Sequence, residues 1–99
     1  MEGFCFSRDR WVAGVSEQGS VRLVRTVTPR FMACVCGPHA AQEVEGKRHV
    51  MATGQVLHGF IWFDEPPGPG LLTRILAEAE EAWIYITAVH GHLAALVEE

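Results

Sequence analysis

Asparagine is absent from this chain, lysine occurs only at Lys47, and Tyr85 is the single tyrosine. The other seven basic residues are all Arg. Arg, Ala, Gly and Pro have GC-rich codons, so the bias reflects base composition before function and points to a GC-rich bacterial or viral genome. A basic tract is also lacking. The formal net charge is −4, and nothing supplies the counterion-releasing stripe that phosphate backbones require, so no nucleic-acid partner is expected.

Long apolar runs are missing as well. Charges or histidines interrupt the most apolar windows, and none approaches the ~18 uninterrupted residues of a membrane span, so no membrane partner is expected. No secretory leader is read, because Met1-Glu2-Gly3 is acidic and Arg8-Asp9-Arg10 breaks the apolar positions that follow. Cysteine is scarce and odd in number, at positions 5, 34 and 36, so all three cannot pair within one chain. Cys34 and Cys36 are too close in sequence for an ordinary bridge. The expectation is a soluble cytoplasmic protein with reduced thiols.

What remains is globular in composition. Apolar residues make up 48% of 99 residues and charged residues 20%, enough to bury one core in a single domain over 1–99. The sharpest local feature is Phe60-Ile-Trp-Phe-Asp-Glu-Pro-Pro-Gly-Pro-Gly-Leu-Leu. Three prolines in four positions remove backbone donors and fix φ, so regular structure must stop at Glu65 and resume near Pro69.

The fold class read from these patterns is α+β, with a mainly antiparallel sheet. Phe4-Cys5-Phe6 suits a first short strand. Trp11 to Val15 and Val21 to Thr28 are β-rich runs, and the Gly-containing connection between them signals a hairpin. Val21, Leu23, Arg25 and Val27 share one face of the second arm. Phe31 to Cys36 is apolar throughout, as in a strand covered on both faces. Pro38 inside the start and Gly46 past the end suit a short helix over 38–45. Residues 49–64 divide into strands near 49–53 and 55–64, with Gly54 or Gly59 marking a bulge or bend.

Leu72, Ile75, Leu76, Ala79, Ala82 and Trp83 then recur at three- and four-residue steps, which predicts an amphipathic helix over about 69–82. Trp83-Ile-Tyr-Ile-Thr-Ala-Val has the composition of a strand. A strand there makes the C-terminal half strand–helix–strand, and keeps Ile84, Tyr85 and Val89 off the wrong faces of a helix. The competing reading is one helix from 70 to 97, since Leu72, Leu76, Ala79, Trp83, Ile86, His90, Leu93 and Val97 keep a 4-3-4-3 spacing.

Chemistry-bearing residues are few. Cys34 and Cys36 on one strand face, with His39 brought round by the Gly37-Pro38 turn, form the best zinc candidate. The set lacks a second tight ligand pair, and free cysteines pack readily as small hydrophobes. His90-Gly91-His92 reads as a turn with solvated histidines. Ser7, Ser16 and Ser20 lack a nucleophile context, and Asp64-Glu65 and Glu80-Glu81 do not face each other. Gly68-Pro69-Gly70 lacks the Lys-Ser/Thr of a phosphate loop, and its proline removes a donor that such a loop uses.

These readings converge on a small non-enzymatic binding or assembly module without a cofactor. Its expected partner is a protein, either another chain or a second copy in a homo-oligomer. Phe60 and Trp62 on the sheet, with Glu78 and Glu81 on the helix, are the expected contact residues. The alternative is a zinc- or thiol-dependent site on Cys34, Cys36 and His39.

Overall fold

The computed structural model describes residues 5–8, 10–15, 20–37, 46–91, 93, 95 and 97. Six strands form one sheet: β1 (Cys5–Arg8), β2 (Trp11–Val15), β3 (Val21–Arg25), β4 (Phe31–Cys36), β5 (Arg48–Val50) and β6 (Val56–Trp62). The helix α1 (Pro69–Val89) follows. The spatial order is β1-β2-β3-β4-β6-β5, and every pairing is antiparallel. The chain is α+β, as its sequence implies. The short helix expected over 38–45 lies outside the described residues.

Alternation along the strands sorts the core. Val21, Leu23 and Arg25 are buried in β3, and Phe31, Ala33 and Val35 in β4. These residues meet Ile75, Ala79, Ala82, Trp83 and Ile86 of α1 in one hydrophobic cluster, closed by Leu93 and Val97. α1 therefore covers one face of the sheet. The alternate residues of β4, Met32, Cys34 and Cys36, are only half-buried, and no described element packs over them.

The two-piece reading of residues 49–64 matches β5 and β6, joined by a tight loop at Met51–Gln55. The Gly54 N–H donates to the Met51 carbonyl at 2.9 Å, with Gly54 at φ +98°. Gly59 sits at φ +63° inside β6. There, two residues (59 and 60) oppose the single Ala33, between the pairs Met32↔Ile61 and Cys34↔His58. This bulge moves the strand's alternation by one position. Leu57 and the pair Phe60/Trp62, which plain alternation would put on opposite faces, all turn toward the helix.

The strand expected at 83–90 does not form. α1 runs unbroken to Val89, where the His90 N–H donates to the Ile86 carbonyl at 2.8 Å. The C-terminal half is thus strand–helix. The residues whose β-propensity suggested a strand are the helix's outward positions: Ile84, Tyr85 and Val89 are all exposed. Burial of Trp83 and Ile86, one and two turns beyond Ala79, outweighs a propensity difference of a few tenths of a kcal/mol per residue. Past the helix, the 4-3-4-3 spacing still has consequences, since Leu93 and Val97 reach the core.

Pro69 begins α1 after an extended Gly68, whose carbonyl accepts from Leu72 N–H at 2.9 Å. The glutamates of α1 fall in its middle, away from the unfavourable C-terminal end.

Candidate functional site

Arg25 lies on the core face of β3, where its alternation places it. Its side chain is nearly enclosed, and its Nη1 donates to Glu78 Oε1 at 2.9 Å. The guanidinium carbon also stands 5.5 Å from the centre of the Trp11 ring. The hydrogen bond from Arg25 holds the Glu78 carboxyl below its ordinary value, with Arg10 assisting at 3.8 Å. Glu80, two residues on, projects from the other flank of the helix. It accepts from the Ala52 N–H at 3.1 Å and lies 2.7 Å from His49 Nε2. The Ala52 N–H is the main cause of its lowered pKa. Glu78 and Glu80 thus hold α1 across the sheet from both sides, and Glu81 is left exposed.

The Pro/Gly corner has its own clasp. Asp64 accepts from the Arg30 backbone N–H at 2.8 Å and from its Nε and Nη2 at 3.0 and 2.9 Å. The Phe63 N–H returns a bond to the Arg30 carbonyl at 2.9 Å. This two-pronged arrangement lowers the Asp64 pKa to about 2. Asp64 is therefore a structural anchor, which the sequence, read only for a facing carboxylate pair at Asp64-Glu65, does not suggest.

Phe60 and Trp62, expected on a partner-binding sheet surface, lie half-buried on the helix side. Their rings are nearly parallel, at 14° with centres 6.5 Å apart, and both contact Phe31. They wall a cleft of about 320 Å³ beneath Pro66 and Pro67.

The face opposite α1 has a different pattern. Val12, Val24, Met32 and Ile61 are cross-strand partners in one apolar row over four strands. The next row runs Gly14, Arg22, Cys34, His58, Arg48. Ile61 is 50% exposed. Burial pushes the His58 imidazole below its usual value, so the charge in the second row at neutral pH comes from the two arginines.

Cys34 and Cys36 are free, half-buried thiols on this face. Burial, then the neighbouring Cys34, raises the Cys36 pKa, which favours the thiol over the metal-binding thiolate. His39, the third member of the expected zinc set, lies outside the described residues. Among the described residues no group of three His, Cys, Asp or Glu side chains is placed to hold a metal ion. No helix is long and apolar enough to cross a membrane among those residues.

Sequence reasoning missed the partners of Arg25 and Asp64. One signal was present. Arg25 shares its parity with Val21 and Leu23, and an arginine on an apolar face demands a carboxylate. The other pairing depends on strand order, which local pattern does not reveal. No protein-family model matches this chain, and neither a curated protein nor a solved structure is found to be similar to it.

Proposed function

We propose that this chain is a small non-enzymatic assembly module that pairs with a second copy through the face of its sheet opposite α1. The observation that carries this reading is the apolar row Val12–Val24–Met32–Ile61, set in register across four strands and covered by no described element. An antiparallel sheet with one face packed commonly presents polar residues on the other. Here four apolar side chains stand in line instead, a surface suited to a partner.

Self-pairing also satisfies the charges. With a two-fold axis along the apolar row, each row packs on its own copy. The arginine rows then fall on opposite sides of the axis, about 14 Å apart for a displacement of two residues on each side. Two sheets stacked this way sit roughly 10 Å apart, with apolar side chains filling the gap. The exposed Glu81 stays outside this contact as a helix-surface acid available to a further, basic partner.

Sedimentation velocity over a wide concentration range tests the reading. The wild type is expected at twice the chain mass, and Ile61→Glu, a change at an exposed position, is expected at the monomer mass. A wild type that stays monomeric at several hundred micromolar would refute self-pairing. A dimer indifferent to Ile61→Glu and Val24→Glu would place the contact elsewhere.

A further inference from the structure

The cleft beneath the Pro/Gly corner lies on the other side of the sheet and is built from different residues. Phe60 and Trp62, whose rings lie 14° from parallel, line it from the sheet, and Pro66 and Pro67 line it from the corner. Leu72 and Leu76, from the first two turns of α1, close the far side. At about 320 Å³ it falls at the small end of the range for ligand pockets.

Three basic residues border it: Lys47, Arg48 and His49. They are not equivalent. Arg48 pairs in register with His58 and acts electrostatically on Cys36, which directs its charge to the face opposite α1. His49 faces the helix side, and its Nε2 is 2.7 Å from Glu80. Lys47 is exposed, and no ion pair engages it among the described residues. The cleft therefore combines an apolar slot with the Lys47 ammonium at its border.

The slot is also held open by its surroundings. Trp62 packs on Phe31 with ring centres 4.7 Å apart, and the Arg30–Asp64 clasp fixes the chain two residues before Pro66. Walls fixed in this way need little ordering when a ligand enters, and that lowers the entropic penalty of binding.

We infer that this cleft binds a small planar organic monoanion, its ring between the Phe60/Trp62 wall and the prolines and its carboxylate at Lys47. A planar body matches ring and pyrrolidine faces better than a flexible chain does. The single lysine acts as a point charge and makes no bidentate fork, so it suits one carboxylate and leaves a dianion half-neutralised.

The test uses 2-naphthoate and its neutral isostere 2-naphthamide, titrated into the full chain and followed by amide and indole N–H NMR shifts. Naphthoate is expected to give saturable shifts at the Trp62 indole, Lys47 and Leu72, and to bind at least tenfold tighter than the amide. Lys47→Gln is expected to bring naphthoate down to the amide's affinity without altering the fold, since Lys47 is exposed. Ile61→Glu, which targets the proposed dimer face, is expected to leave naphthoate binding intact, so the two proposals fail separately. Equal affinities for acid and amide, or full naphthoate affinity in Lys47→Gln, would overturn the inference. So would shifts confined to Val12, Val24 and Met32, or no saturable binding at millimolar probe.

Discussion

Arg25 Nη1 and Glu78 Oε1 stand 2.9 Å apart, joining the end of β3 to the middle of α1. Only 7% of Arg25 is exposed, and its Nε has no hydrogen-bond partner among the described residues. A buried cation that depends on one carboxylate makes removal of either partner unequal in effect. Glu78→Ala leaves the guanidinium buried and uncompensated, and is expected to cost about 2 kcal/mol. Arg25→Met removes the charge and keeps contact with Trp11, so it is expected to change stability by less than about 1 kcal/mol. Urea unfolding of the two variants checks the asymmetry. Equal losses would show that the pair contributes through its attraction and not through the penalty on the stranded charge.

Acid sensitivity follows from three carboxylates. Asp64 titrates at about 2 in the folded chain against an ordinary 3.8, and Glu78 and Glu80 are also depressed from 4.5. Below their ordinary values the unfolded chain binds more protons than the folded one, so stability rises with pH there. The stabilisation is complete above about pH 5 and is lost as pH falls toward 2. Asp64→Asn is expected to flatten the most acidic part of this loss, below about pH 4, because Asp64 has the lowest folded value. Unfolding free energies measured from pH 2 to 6 decide this. Parallel profiles for wild type and variant would show that the Arg30 clasp contributes nothing to the acid limb.

Two glycines should respond to alanine with opposite signs. Gly59 occupies the left-handed region at φ +63°, where a Cβ would also stand 3.7 Å from Cys34 Sγ. Gly59→Ala is expected to destabilise by about 1–2 kcal/mol, the penalty of that conformation for an L-residue. Gly70 lies in the first turn of α1, and a Cβ there meets nothing within 4 Å. Gly70→Ala is expected to stabilise by about 0.5 kcal/mol. Thermal melts of both variants provide the comparison, and a tolerated Gly59→Ala would mean that the β6 bulge can shift its register.

Much of the architecture is legible along the chain because its causes are local. The parity of Val21, Leu23 and Arg25 marks the inner face of β3, and Pro66, Pro67 and Pro69 separate β6 from α1. The 83–90 segment was misleading for a reason that is not local. Its β-branched and aromatic residues suit a strand, and only the packing of Trp83 and Ile86 against the sheet shows that Ile84, Tyr85 and Val89 are outward positions of a helix.

The candidate sites were less legible still. The face carrying Phe60 and Trp62 depends on the extra residue at Gly59, and the sign of that shift appears only once β6 is paired with β4. Likewise the sequence suggests Glu78 as a contact for a partner, whereas Glu78 and Glu80 each meet a residue from a distant strand or loop of the same chain.

By itself, the sequence determined the class of the fold, the breaks at proline and glycine, and the inner positions of β3 and the first half of α1. Those follow from backbone sterics and from the periods of strand and helix, which act within a few residues. β4, apolar throughout, reads as covered on both faces, and only the structure shows Met32, Cys34 and Cys36 half-buried. Tertiary structure alone decided where the helix ended, which face Phe60 and Trp62 took, and which charges were paired inside the chain. Each of those outcomes depends on contacts between residues far apart in sequence, as when Arg25 finds Glu78 across 53 positions.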